Sequence, residues 1–101
     1  QYWRTVHGPL VAKHSVTLGI HRYIQLHTKD DPINDGFASA RGGMEPIYDG
    51  VAELWWKSPA DLAVAATPAG SAAMNELLED ERNFIDLPQS PMWFAYEYPQ
   101  V

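Results

Sequence analysis

The chain has 101 residues, a net charge of −6 and a pI near 4.9, and 46% of its residues are apolar. This length allows a single domain, residues 1–101, and the acidic balance disfavours nucleic-acid binding because phosphate backbones repel an acidic surface. The absence of cysteine excludes disulfides and thiolate chemistry. No apolar run approaches the roughly 20 residues that cross a bilayer, so we expect no membrane partner and a cytoplasmic location.

The first segment, residues 1–14, has the spacing of an amphipathic helix. The residues that recur at helical intervals are Trp3, His7, Leu10 and His14. We expect a bend at Gly8-Pro9, because proline lacks a backbone donor and crowds the preceding turn. No capping residue precedes Gln1, and the helix therefore predicts further residues upstream.

Two segments alternate with the period of a β-strand. In Gly19–His27 one face carries His21, Tyr23, Gln25 and His27, and in Tyr48–Lys57 one face carries Gly50, Ala52, Leu54 and Trp56. Residues 29–46 between them are rich in Asp, Gly, Asn and Pro and predict a long loop. A loop of that length is expected to be a lid, a binding loop or a mobile segment.

Two further signals predict helix starts, and one predicts a final strand. Ser58-Pro59 and Thr67-Pro68 each place a capping hydroxyl before a proline at the first helical position, and Leu87-Pro88 ends the helical region. Met92 to Tyr98 alternates as a strand. One strand added in front completes the order βαββαβ, an α+β, ferredoxin-like fold with an antiparallel sheet.

Four segments carry motifs that belong together. They are Tyr2–Val11, with a Trp before His-x-Pro-Leu; Gly19–Gln25; Tyr48–Trp55; and Leu78–Asp86, with Asp-Glu-x-x-Phe. Together they resemble the EthD family, which is named after ethyl tert-butyl ether degradation protein D. The segments follow the family's order and cover nearly the whole chain. The resemblance implies a dimeric α+β barrel, a homodimer that holds a small hydrophobic or aromatic ligand between sheet and helices. The first strand of that fold is absent from this sequence, so the domain reads as N-terminally incomplete, with about 15–25 residues expected before Gln1.

His7 and Tyr23 are the candidate catalytic residues. Histidine exchanges protons near neutral pH, and a phenol can polarise a substrate oxygen. Both residues match positions where methylmuconolactone methylisomerase, a related barrel, has an active-site histidine and tyrosine. The alternatives are a hydrogen-bonded core histidine and an ordinary strand tyrosine.

Other side chains are assigned to the pocket or to structural roles. Those predicted to line the pocket are Trp3, Leu10, Leu54 and Trp56. Glu53 is read either as a buried base or as a partner of Arg22, and Asp80 and Glu81 as a solvated helix face or a brace. We predict no metal and no other cofactor, because His7 and His27 have no apparent third ligand and no haem signature occurs.

Two functions remain open at this point. The first is a cofactor-free enzyme that isomerises, cyclises or decarboxylates a small ring compound, and the second is a non-catalytic binding or accessory dimer. An enclosed cavity around Trp3, His7 and Tyr23 would favour the first. The dimer is expected to cover the opposite sheet face. If Tyr23 faces the helices, alternation assigns Ile20, Ile24 and Leu26 to that face. The resemblance to the isomerase implies that Leu54 also points toward the helices, which leaves Val51, Glu53 and Trp55 on the same opposite face.

Overall fold

The computed structural model describes residues 1–44, 46 and 48–101, and within them the chain is α+β. The helices are α1 (Gly8–Lys13), α2 (Pro32–Arg41), α3 (Pro59–Ala63) and α4 (Pro68–Glu81), and the strands are β1 (Arg22–His27) and β2 (Gly50–Trp55). A π-helical turn, Trp3–His7, leads directly into α1, and 3-10 turns span Val64–Ala66 and Leu87–Gln89. None of the helices in these described ranges is both long and apolar enough to cross a membrane.

The predicted first helix is present, and its Gly-Pro step takes the form of a widened turn. The Gly8 N–H donates to the carbonyl of Trp3, five residues back, which is the π-helical pattern. Pro9 has no N–H to donate, so the regular ladder is interrupted at this point. This wide turn occupies the place where the sequence predicts a bend.

The two strands pair antiparallel, with Tyr23 opposite Leu54 and Ile24 opposite Glu53. Because side chains alternate, the register separates two faces. One carries Tyr23, Gln25, His27, Gly50, Ala52 and Leu54; the other carries Arg22, Ile24, Leu26, Val51, Glu53 and Trp55. The predicted division is therefore confirmed within β1 and β2. Both strands are shorter than predicted, so Ile20, His21 and Trp56 lie outside them, and Ile20 packs on the core.

The hydrophobic core lies between three elements: the first helical segment (the π-helical turn and α1), α4, and the sheet face that carries Tyr23. Its buried members are Val11, Leu18, Ala73 and Leu77, and Leu10, Ile20, Tyr23 and Ala65 pack against them. The core is small, so a large share of the apolar side chains stays accessible. On the opposite sheet face Leu26 and Val51 are 48% and 46% exposed, and the Arg22 guanidinium lies 6.0 Å from the Trp55 ring centroid. The described residues contain no ion pair between Arg22 and Glu53.

Both predicted helix starts are confirmed by their caps. The Ser58 hydroxyl accepts the N–H of Asp61 at 3.2 Å, and the Thr67 hydroxyl accepts the N–H of Gly70 at 2.9 Å. Helix α4 ends at Glu81, earlier than the predicted Leu87.

The prediction that residues 29–46 form a loop is wrong, because this segment contains α2. The Asp31 carboxylate accepts the N–H of Ile33 at 2.9 Å, Pro32 opens the helix, and Gly42 ends it in the left-handed conformation, with φ 62°. The cap at Asp31 followed by Pro32 is the same start signal that the sequence carries at Ser58 and Thr67, and Gly42 is a typical helix end. Glu45, within the predicted loop, lies outside the described residues.

The predicted last strand, Met92 to Tyr98, is also wrong. The segment has no regular secondary structure and its large side chains are exposed, Trp93 at 75% and Tyr96 at 86%. Alternation favours a strand only where a neighbouring strand supplies hydrogen bonds, and the described part of the chain offers this segment none. The α+β class is confirmed. The described sheet has two strands, whereas the predicted βαββαβ order has four.

Candidate functional site

His7 is a buried polar side chain, 4% exposed, at the junction of the π-helical turn and α1. Its Nδ1 atom lies 2.8 Å from Oδ2 of Asp80, in the last turn of α4. The ring of Phe84 packs against it, with centroids 5.0 Å apart. The first helical segment and α4 therefore each contribute one side chain to a buried histidine–carboxylate pair.

Asp80 is held in its ionised form by the groups around it. The Tyr2 hydroxyl donates to its carboxylate, and this bond is the largest influence lowering the pKa of Asp80, with the His7 hydrogen bond acting in the same direction. The Asn83 amide donates to the same carboxylate at 3.5 Å and to the Tyr2 hydroxyl at 3.3 Å. An ionised carboxylate only accepts, so His7 must donate from Nδ1, and its Nε2 is the nitrogen left for proton exchange.

A second pair joins the same two helical segments. Nε2 of His14 lies 2.8 Å from Oε2 of Glu76, one turn before Asp80 on α4. The side chains of this pair are 15% and 49% exposed, against 6% and 13% for His7 and Asp80. The two pairs are alike in distance and differ in burial, which makes the outer pair a natural reference for the inner one.

Tyr23 lies on the helix-facing side of β1, half-buried against the core. Burial is the main cause that raises its pKa; the negative charge of Glu81 adds to the rise, while the Gln25 hydrogen bond opposes it. Gln25 Nε2 donates to the Tyr23 hydroxyl at 2.8 Å. Tyr23 is therefore held as a neutral phenol.

Glu81 connects the surroundings of the two candidate catalytic residues. It is half-buried, and desolvation raises its pKa, with the positive charge of His7 opposing and the charge of Asp80 reinforcing that rise. The same carboxylate acts on Tyr23. The charge of Glu81 therefore acts on both candidate catalytic residues.

Trp3, one of the predicted lining residues, contacts His27, Gly50 and Gln25. Its ring centroid is 4.3 Å from that of His27, and a Cβ placed on Gly50 would meet the Trp3 ring at 2.6 Å. The Trp3 carbonyl accepts from Gln25 at 2.9 Å. Trp3 therefore covers the end of the sheet where β1 finishes and β2 begins.

The other three predicted lining residues are spread more widely. Leu10 packs on the core, and Leu54 pairs with Tyr23 across the strands and is 37% exposed. Trp56 donates from Nε1 to the Leu18 carbonyl at 2.8 Å, and its ring lies 6.2 Å from that of Phe94. Trp56 thus follows the other end of β2, away from Trp3.

Two surface pockets among the described residues lie away from His7 and Tyr23. One, of about 360 Å³, opens between the end of β1 and α2 beside Thr28, Asp31 and Asp49. Another, of about 310 Å³, lies along α2 beside Phe37 and Met44. Neither is lined by His7 or Tyr23, so an enclosed cavity around these residues stays a prediction.

No group of three or more His, Asp or Glu side chains in the described ranges could hold a metal ion. Sequence reasoning treated Asp80 as a surface or bracing residue and did not single out Gln25. The signal for Asp80 was present: Glu76 and Asp80 are four residues apart on α4, and His7 and His14 are seven apart on the first helix, both helical spacings that put the pair on one face.

Comparisons with known proteins bear on these observations. The family model described as the EthD domain matches residues 1–88. That range contains all four resembling segments and the residues His7, Tyr23, Asp80 and Glu81, and it confirms the predicted family. Comparisons with curated proteins and with solved structures gave no significant match.

Proposed function

The chain belongs to the EthD domain family, and on that premise we propose that it binds a small hydrophobic ring compound between the first helical segment and the sheet. His7 moves a proton to or from the ligand, and Tyr23 donates a hydrogen bond to a ligand oxygen. Isomerisation, cyclisation and decarboxylation of a ring compound all use these two roles. No cofactor is required by this chemistry.

The observation that carries the proposal is the buried contact of 2.8 Å between His7 Nδ1 and Asp80 Oδ2. A carboxylate at Nδ1 fixes the ring orientation and its tautomer, and it stabilises the positive charge that forms when Nε2 accepts a proton. Burial strengthens this interaction, because water is excluded from it. These are the conditions under which a histidine works as a general base.

A non-catalytic binding function is the second candidate, and the His14–Glu76 pair supports it. That pair joins the same helical segments at the same distance of 2.8 Å, so His7 and Asp80 could serve equally as an inner bridge between helices. In this alternative the ligand is bound but no proton moves.

The proposed assembly is a homodimer whose copies complete a barrel through the open sheet face. Ile24, Leu26, Val51 and Trp55 share that face, with Leu26 and Val51 about half exposed. The Trp55 indole nitrogen is buried without a hydrogen-bond partner among the described residues. Exposed apolar side chains on an open sheet face are typical of an interface, and the same face also carries Arg22 and Glu53.

The proposed pocket is tested with 1-indanone, a flat ring ketone with exchangeable hydrogens beside its carbonyl. In an NMR titration of the 15N-labelled protein, the amide signals of Trp3, His7 and Tyr23 should shift with one common dissociation constant. Saturable shifts confined to α2 would contradict the proposed location. Absence of any saturable shift would contradict binding of this class.

A further inference from the structure

The side chain of Gln25 is hydrogen-bonded to three groups around the proposed site. Its Nε2 donates to the Trp3 carbonyl at 2.9 Å and to the Tyr23 hydroxyl at 2.8 Å, and its Oε1 lies 2.8 Å from Nε2 of His27. A backbone carbonyl can only accept, so the amide nitrogen must face the helix. The orientation of the Gln25 amide is thereby fixed by the main chain.

Two features of the first helical segment, the Trp3 carbonyl and Gly8, accommodate the Gln25 amide. The Trp3 carbonyl takes the Gly8 N–H in the π-helical turn and accepts Gln25 with its second lone pair. A Cβ on Gly8 would stand 3.0 Å from Nε2 of Gln25, closer than such atoms ordinarily approach. The glycine therefore leaves the space through which Gln25 reaches the helix.

The fixed amide in turn determines how Tyr23 can bond. The hydroxyl oxygen receives the N–H of Gln25, and Nε2 of an amide cannot accept a hydrogen bond in return. The phenolic hydrogen must point away from Gln25. Among the hydrogen bonds of the described residues none gives that hydrogen a protein acceptor.

We infer that Gln25 is a positioning residue that presents Tyr23 as a hydrogen-bond donor, and that the site selects ligands offering an acceptor oxygen, such as a ring carbonyl or an enolate. The inference rests on the proposed function and specifies its ligand class. The Glu81 carboxylate raises the pKa of Tyr23, against the effect of the Gln25 hydrogen bond, and so keeps the phenol protonated and able to donate. His27, which donates to the other end of the amide, holds Gln25 in place.

A ligand-independent measurement tests the role of Gln25. In protein labelled at the Cζ carbon of tyrosine, 13C NMR follows the ionisation of each phenol, and Tyr23→Phe assigns the Tyr23 signal. Gln25→Leu removes a donor that stabilises the phenolate, so the pKa of Tyr23 should rise above that of the unaltered protein. Thr28→Val is the matched control, because it removes a side-chain hydrogen bond to Tyr48 at the end of the same strand and leaves Gln25 intact. An unchanged Tyr23 titration in Gln25→Leu would overturn the role of Gln25.

Ligand selection is tested by comparing 1-indanone with indane, which has the same rings and no oxygen. The unaltered protein and Thr28→Val should bind 1-indanone about 3–10-fold more tightly than indane, the usual effect of one hydrogen bond. Tyr23→Phe and Gln25→Leu should lose this preference while still binding indane. Gln25→Glu, nearly isosteric, offers Tyr23 an acceptor in place of the donor and should lose the preference as well.

The outcomes separate this inference from the proposed function. Equal binding of the two compounds by the unaltered protein would overturn the acceptor class, together with the proposed hydrogen bond from Tyr23 to the ligand, and leave the pocket and the role of His7 standing. Failure of both compounds to bind would contradict the pocket and the inference together. A preference that survives in Gln25→Leu and Gln25→Glu would overturn the positioning role alone.

Discussion

His7 and Asp80 lie 73 residues apart in the chain, and their Nδ1 and Oδ2 atoms lie 2.8 Å apart. The pair joins the first helical segment to the end of α4. The less buried His14–Glu76 pair joins the same elements, so the effects of packing and of proton transfer can be separated by comparing the two.

The decrease in the free energy of unfolding at acid pH should depend on Tyr2 and Asp80. The folded-state pKa of Asp80 is below its ordinary value of 3.8, so the stabilisation is fully present above that value and is lost as the pH falls through the folded pKa. Tyr2→Phe removes the largest cause of this lowering. Urea unfolding should show Tyr2→Phe less stable than the unaltered protein at about pH 6, and the difference should shrink toward about pH 2. Because Tyr2→Phe keeps the ring that packs on Phe84, a pH-independent difference would contradict a role of the Tyr2 hydroxyl in holding Asp80 ionised.

Glu81 should have the opposite effect on stability. Its folded-state pKa is raised above 4.5, chiefly by burial, so stability is fully present below that value and is lost as the pH rises through the folded pKa. Glu81→Gln should therefore raise the free energy of unfolding at about pH 7 and change it little at about pH 4. Glu79→Gln is the control: it removes an exposed bond to Arg82 and should alter stability only slightly at either pH. Destabilisation by Glu81→Gln at neutral pH would contradict this account of its surroundings.

Leu18 should be the most sensitive apolar position tested by truncation. It is 1% exposed and belongs to the core that supports Tyr23. Leu18→Ala should lower the free energy of unfolding by about 2–5 kcal/mol, the range for a buried leucine. Val16→Ala, at a residue 86% exposed, should change it by less than about 0.5 kcal/mol. Similar values for the two variants in urea titrations would place the core elsewhere.

If the open sheet face forms the dimer interface, charged substitutions on that face should dissociate the dimer. Leu26 and Val51 are cross-strand partners on that face, and replacing both by Asp puts like charges directly opposite each other in the proposed interface. Sedimentation velocity at micromolar concentration should show a dimer for the unaltered protein and a monomer for the double variant. Val16→Asp, far more exposed, should remain dimeric. A monomeric unaltered protein would contradict the proposed assembly.

Local signals were sufficient for much of the fold. Ser58 and Thr67 predicted helix starts because a cap and a following proline act within a few residues of each other, and the period of β1 and β2 assigned nearly every face correctly. Asp31-Pro32 carries the same cap and proline before α2, whereas the Asp, Gly, Asn and Pro content of residues 29–46 predicted a loop. Alternation in Met92 to Tyr98 misled, because strand formation depends on a partner that periodicity does not describe.

The site was only partly predictable for a related reason. His7 and Tyr23 were found through helical and strand spacing together with the family resemblance. Asp80 and Gln25 act through contacts with Tyr2, His7 and Trp3, and such contacts depend on how elements pack. The role of Gly8 follows from a distance of 3.0 Å between a hypothetical Cβ and Gln25, which no sequence pattern contains.

The central claim is that His7, held by Asp80, exchanges a proton with a bound ring ketone. In D2O, transfer of the hydrogen beside the carbonyl of 1-indanone to His7 Nε2, and return of a deuteron from solvent, replaces C–H by C–D, which 1H NMR follows directly. His7→Gln should slow this exchange by about 10²–10⁴-fold, and Asp80→Asn should give an intermediate rate. His14→Gln and Glu76→Gln, which break the outer pair, should exchange at the rate of the unaltered protein. Exchange that is equally fast in His7→Gln, with 1-indanone still bound, would contradict the account and leave a binding protein in its place.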